Sequence, residues 1–185
     1  MEALLPAVFL IVLLAFWLMS MQRSLIILDA HVSNTMRQIG IQLASRSDAL
    51  FSLLDLARIY AAEEAQALME SIGGHSAITA TSTPSEVLYQ AGVISETLDQ
   101  LASLAARCPA LRENPDYAKY RSAADSYETM LRTSRLIYND AAVKFNQATG
   151  KFPANLAAWI LGFRPRAYFS PAPDLPASVR RSEIA

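Results

Sequence analysis

The sequence predicts an all-α chain: an antiparallel up-and-down bundle of three long helices plus a short C-terminal helix, preceded by one transmembrane helix. Three observations predict it. Apolar residues recur three and four apart over long stretches, the period of a helix face turned toward a core. An uncharged run opens the chain, from Ala3 to Gln22. No stretch alternates apolar and polar residues as a half-buried strand would. The expected organisation is an anchor over 1–22, a bundle over 23–169, and a proline-rich, disordered tail over 170–185.

The opening run reads ALLPAVFLIVLLAFWLMSMQ. At about 1.5 Å of rise per residue, it spans roughly 30 Å as a helix, the thickness of a bilayer's hydrocarbon core. Pro6 lies near the start, where a missing N–H costs little, and Trp17 lies near the depth of an aromatic belt. The competing reading is a cleaved signal peptide. Against it stand the absence of a basic leader, since Glu2 is the early charge, and the bulky Trp17-Leu18-Met19 end. No Lys or Arg precedes the run, whereas Arg23, Arg37 and Arg46 follow it. The positive-inside rule then places the N-terminus outside and the bundle in the cytoplasm, with an extracytoplasmic bundle as the alternative.

The first long helix is expected to leave the membrane and continue to Ile72. Leu43, Leu50, Leu54, Ala57, Ala61, Leu68 and Ile72 share one face, with Arg46, Asp55, Arg58, Glu63 and Glu70 at polar positions between them. Gly73-Gly74 is its expected stop. Residues 75–83 have no helical period and read as a loop. Thr83-Pro84-Ser85-Glu86 is a capping box with proline at the first helical position. The second helix carries Val87, Ala91, Ile94, Leu98, Leu101 and Ala105 as its seam, and Pro109 stops it.

Asn114-Pro115-Asp116 opens the third helix as cap, first residue and first-turn anion. Its stripe runs Tyr117, Tyr120, Ala124, Tyr127, Leu131, Ser134, Tyr138, Ala141, Phe145, Ala148, and Gly150 ends it. A short helix over Ala154–Leu161 follows Phe152-Pro153 and ends at Gly162. Beyond it, Pro165, Pro171, Pro173 and Pro176 forbid regular helix.

Composition narrows the function classes. The net charge is -1, from 16 basic and 17 acidic residues, without the basic excess of a nucleic-acid binder. The lone Cys108 rules out an intrachain disulfide and reads as a small residue packed at a helix end, with a reactive thiol as the alternative. His31 and His75 form no zinc-binding spacing, and neither a phosphate-cradling glycine loop nor a nucleophile elbow occurs. Glu63-Glu64 point apart on a helix, and Asp48 and Asp55 share a face without the histidines of a di-iron site. These acids read as solvated helix surface. The tyrosine stripe reads as packing, its hydroxyls reaching a rim or a partner. Arg164, Arg166, Arg180 and Arg181 make the tail basic. It reads as solvated, the alternative being contact with anionic lipid.

The stretch Ser134–Phe169 carries a multi-part pattern: Arg135, Tyr138-Asn139, Phe145-Asn146, Phe152-Pro153, Ala157-Ala158, Gly162-Phe163 and Tyr168-Phe169. This pattern resembles the C-terminal signature of the LemA family, with Phe145 where tyrosine is usual. A shorter stretch, Ile39–Leu53, is similar to the family's first soluble helix through Gln42-Leu43, Arg46 and Asp48, although the family's paired basic residues are reduced to Arg46. Glu113–Tyr120 fits the family's start to the third helix.

The resemblance implies a bacterial protein with one N-terminal transmembrane helix and an antiparallel bundle. It carries over no catalytic, cofactor or metal residues. Phe152-Pro153 and Gly162 should turn the chain twice and fold Phe163 back against the bundle's end. Of Asn139 and Asn146, seven apart on one face, one or both are expected to hydrogen-bond main chain at that bend, with a binding role as the alternative.

The function expected is therefore a non-enzymatic scaffold or adaptor, placed in a bacterial inner membrane. Its partners would be the lipid bilayer, an unidentified protein and, in one version, a second copy of the chain, but not nucleic acid. Such a role expects an apolar patch left exposed on the bundle. The second reading is a sensory or signalling module whose long helices transmit a change from the membrane.

Overall fold

The structure is a computed structural model that describes residues 4–72 and 77–169; the side chains of most of residues 4–18 also lie outside that description. The described residues form six helices and no strand: α1 (Leu4–Arg58), α2 (Ala62–Ser71), α3 (Pro84–Arg107), α4 (Pro109–Arg112), α5 (Pro115–Gly150) and α6 (Ala154–Leu161). The expected stop at Gly73-Gly74, His75, and the tail with Arg180 and Arg181 fall outside the described residues.

α1 and α5 form the frame. With 55 and 36 residues, they are roughly 80 and 54 Å long. Three contacts fix their antiparallel register. Asn114 donates to Tyr60 Oη at 3.2 Å, Arg46 lies 2.8 Å from Glu128, and Asp29 pairs with Arg166, which Asn146 holds. As α1 is read backward, α5 is read forward.

The seams of α3 and α5 are those of the sequence, and of the face expected on α1, Leu43, Leu50, Leu54 and Ala57 are buried. On α1 the buried residues Leu25, Val32, Met36, Ile39, Leu43, Arg46, Leu50, Leu53 and Ala57 step by three, four or seven. On α3 the buried set includes Val87, Ala91, Ile94, Leu98, Leu101 and Ala105. On α5 it includes Ala124, Leu131, Ser134, Tyr138, Ala141 and Phe145. Steps of three and four keep each stripe facing its neighbour for many turns. Tyr117 and Tyr120 pack against this core.

Both expected starts are made as their chemistry requires. Glu86 N–H donates to Thr83 Oγ1 at 3.3 Å and Thr83 N–H donates to Glu86 Oε2 at 2.8 Å. Asp116 N–H donates to Asn114 Oδ1 at 2.8 Å. Pro109 ends α3 but also starts the single turn α4, leaving Cys108 half-buried at the joint.

Three expectations need correction. First, the helix expected to run unbroken to Ile72 stops at Arg58, and Ala61 takes φ -149 and ψ 74. No glycine or proline marks the break. Its cause is tertiary: α5 begins opposite Tyr60, so a straight continuation would have no partner for Ala65 and Ile72, which are buried once α2 folds back.

Second, α2 takes the return stroke, so α1 and α3 run in the same direction rather than as antiparallel neighbours. Arg46 reaches Ala91 and Ser95 on α3, while Arg121 on α5 donates to Leu98 O at 3.1 Å. Residues 77–83 carry the chain from α2 to α3 across α1 at Gly40. A Cβ there would stand 2.7 Å from Ile78 O, so the close crossing requires glycine.

Third, Arg46 is not a polar position between seam residues but itself a seam residue, 5% exposed. The steps Leu43, Arg46, Leu50 put it there.

The helix of α1 extends back through the opening apolar run. Among the described residues, no helix is long and apolar enough to cross a membrane. Most side chains of Ala3–Gln22 lie outside that description, so the expected span is not supported by the described residues and stays a reading of the sequence.

Candidate functional site

The signature residues gather in two places. One is a clasp at the end of α5, where residues 163–169 run back along the helix. α6 prepares this reversal. Pro153 precedes its first turn, and Gly162 ends it in the left-handed region at φ 76. Gly162 N–H donates to Trp159 O and Phe163 N–H to Ala158 O at 2.9 Å, the paired bonds of a Schellman cap. The chain then leaves α6 heading back toward the bundle.

Two asparagines receive it. Asn146 Nδ2 donates to Arg166 O, and Arg166 N–H donates to Asn146 Oδ1, both at 2.8 Å. Asn139 does the same for Phe169, at 3.1 and 2.8 Å. A carboxamide has the donor and acceptor of a peptide group, so each asparagine pairs with one residue as a neighbouring strand would. The spacing fits: seven helical residues rise about 10.5 Å, and three extended residues cover about 10 Å. Both amides therefore hold main chain, in place of the one or two expected.

The clasp's rings and hydroxyls complete it. Tyr138 donates to Ala167 O at 3.1 Å, and its ring meets Phe169 edge-on at 5.0 Å between centroids. Phe145 meets Phe163 edge-on at 6.0 Å. Tyr168 Oη accepts from Asn146 at 2.8 Å. Burial pushes the Tyr138 hydroxyl's pKa above the usual tyrosine range; Arg166 opposes this and Tyr168 adds to it. Arg166 is not free as in a solvated basic tail but pairs with Asp29 of α1 at 2.7 Å.

The second place is a charged node inside the bundle, where Glu128 lies about three to five turns along α5 from the clasp residues Tyr138 to Asn146. Arg46 Nη1 lies 2.8 Å from Glu128 Oε2, 3.2 Å from Ser95 Oγ and 3.5 Å from Ala91 O. Glu128 also meets Arg132 at 3.2 Å. The Arg46–Glu128 approach is close for attraction but misaligned as a hydrogen bond. Among the described residues, Arg46 Nε, Glu128 Oε2 and Arg135 Nε are buried with no hydrogen-bond partner. Burial lowers the pKa of Arg46 and of Arg135, with Glu128 opposing the shift in each case. Arg135 joins the two places: its guanidinium lies 6.0 Å from the Phe169 ring centroid and feels both Glu128 and Arg46.

Asp48 is not brought in. It is exposed and lines a separate hollow of about 560 Å³ between α1, α3 and the residues Ile72, Ala77 and Ile78, with Gly40, Ile41 and Phe51. Phe152 is 84% exposed. The sequence reading missed Glu128, Asp29 and Ser95. A seam arginine needs a counter-ion, and that need would have pointed to an acid on the facing helix, though not to which one.

Among the described residues, no cluster of His, Cys, Asp or Glu has metal-binding proximity. What the arrangement does chemically is hold one extended segment and fix one helix register. Comparison with curated proteins finds no match. The LemA family model, by contrast, matches residues 35–179, which takes in both the node and the clasp. The chain, on the strength of a match over most of its 185 residues, belongs to the LemA family.

Proposed function

We propose that this LemA protein is a membrane-anchored, non-enzymatic scaffold or adaptor that offers its helical bundle to a protein partner beside the bilayer. The observation that carries the reading is an apolar patch on the outer side of α5. Met130 and Ile137, two turns apart, are each 49% exposed, and Leu136 beside them is 68% exposed. Large side chains grouped in this way on a helix that already has a buried face suit a second protein surface. The anchor rests on the uncharged Ala3–Gln22 run and on the helical backbone of residues 4–22. The basic residues that follow favour a bacterial inner-membrane protein with a cytoplasmic bundle, the extracytoplasmic arrangement being the alternative.

Photo-crosslinking in intact membranes tests this reading. A crosslinking side chain at Met130 or Ile137 should give a discrete adduct, either with another protein or with a second copy. The same probe at exposed Gln66 or Glu70 of α2 should not. Ile137→Glu should abolish the adduct at Met130. Equal labelling at all four sites would contradict the reading. With Cys108 replaced by Ser, single cysteines at exposed bundle positions report topology, and modification by an impermeant reagent added outside would reverse the proposed orientation.

One observation favours a signalling role as the second reading. α1 passes without a break from the apolar run to Arg46, so a displacement at the membrane would reach the incompletely paired node directly.

A further inference from the structure

We propose that α6 is a second membrane element: with Phe152 it lies in the headgroup boundary of the bilayer from which α1 emerges, its outer face against lipid. This rests on the reading of Ala3–Gln22 as lipid-embedded.

The first support is the face itself. α6, ANLAAWIL, carries no charged side chain. It turns Ala157 and Ala158 inward, each 3% exposed. Outward it presents Leu156, Trp159 and Ile160 at 58, 79 and 63%, with Phe152 at 84% before it. The small residues face the protein and the large ones face away from it, the reverse of a helix that packs on a core in water.

The second support is position. Arg166 ties Asn146 of α5 to Asp29 of α1. α5 continues four more residues to Gly150, about 6 Å, which brings its end level with about Leu25 of α1. α6 packs on both helices there. Leu25, Ala157 and Ala158 are buried, yet stand outside the main core. α6 thus meets α1 just past Gln22, where the uncharged run ends. Exposed Ile26 and Ile27 extend the same apolar zone.

The third support is charge. Lys151 and Arg164 flank α6 with no acid between them, and Arg23 is exposed at the same end of the bundle, whereas Arg166 there is neutralised by Asp29. A tryptophan among aliphatic side chains, flanked by basic residues, suits an anionic lipid boundary.

The chain has two tryptophans, Trp17 and Trp159, so the two readings can be tested separately. Full-length protein is placed in phosphatidylcholine vesicles containing phosphatidylglycerol, with bromine on the lipid chains either near the glycerol or near the chain end. In Trp17→Phe, Trp159 should emit to the blue of its position in water, resist acrylamide, and be quenched more by the shallow bromine. In Trp159→Phe, Trp17 should be quenched by the deeper bromine relatively more than Trp159 is. Adding Ile160→Glu to Trp17→Phe should shift the emission red and weaken lipid quenching.

Trp159 open to acrylamide and unquenched by bromine, with Trp17 still quenched, would overturn the inference and leave the anchor standing. Trp159 shielded from acrylamide but unquenched by either lipid would mean that protein covers it, and would also overturn the inference. Loss of quenching at Trp17 would sink the anchor reading and the inference with it.

Discussion

The clasp and the node share α5 yet treat polar groups in opposite ways. In the clasp, each amide of Asn139 and Asn146 meets a main-chain donor and acceptor at 2.8–3.1 Å. In the node, three buried atoms of Arg46, Glu128 and Arg135 have no hydrogen bond among the described residues. A fully paired polar group inside a protein stabilises it by a modest amount, while an unpaired one costs about 1–3 kcal/mol. The clasp therefore reads as a device for stability. The node reads as a device for register: slide α1 along α5 by one turn, and the buried arginine loses its 2.8 Å approach to Glu128.

The largest effect separates these roles. Glu128→Gln leaves Arg46 and Arg135 without their nearest anion and should cost about 2–4 kcal/mol, below the value for a fully buried pair because Glu128 is partly exposed. The double change Arg46→Met with Glu128→Leu should be neutral or stabilising in thermal unfolding of the full chain in detergent. A double variant as unstable as the single would mean that the node is a stabilising pair after all.

Next come the clasp variants. Asn139→Ala strands the N–H and C=O of Phe169 and should lower stability by about 2–3 kcal/mol. Asn146→Ala should cost a similar amount. The two together should cost less than their sum, since either releases the same segment. Urea unfolding of the set measures this coupling, and strict additivity would break the single-clasp account.

A smaller effect depends on pH. The folded pKa of Tyr138 lies above the unfolded one, because burial disfavours the phenolate. The folded protein then holds a proton that the unfolded chain releases above about pH 10. The contribution is complete below that pH and is lost as pH rises through the folded pKa. Stability should therefore fall on the alkaline side, and Tyr138→Phe should flatten the fall in a pH series of melting curves. The smallest effect is at an exposed pair: Lys144→Ala removes a 2.7 Å contact with Asp140 and should change stability by under about 0.5 kcal/mol.

Much of this was legible beforehand because it is local. Seams, the Thr83 and Asn114 caps, and the Gly162 turn follow from residue type and spacing within a few positions. The two asparagines could be put on one face near the bend because helix geometry alone places residues seven apart together. Their partners could not be chosen, since residues 166 and 169 have no periodic signal. The break after Arg58 was invisible because it is caused by where α5 starts, not by any breaker. Arg46 was misplaced because residue type argued for solvent while spacing argued for the seam, and spacing won once Glu128 faced it. Among the described residues, the hollow beside Gly40 depends on how α2 and residues 77–83 cross α1, which no short stretch encodes.

Hydrogen exchange at four consecutive amides tests the clasp most directly. Arg166 and Phe169 N–H, held by Asn146 and Asn139, should exchange slowly in the wild-type chain, with Ala167 and Tyr168 between them exchanging faster. Asn139→Ala should release Phe169 first, and Asn146→Ala should release Arg166 first. Uniformly fast exchange from 166 to 169 in the wild type, unchanged by either substitution, would contradict the claim that these asparagines bind the returning chain.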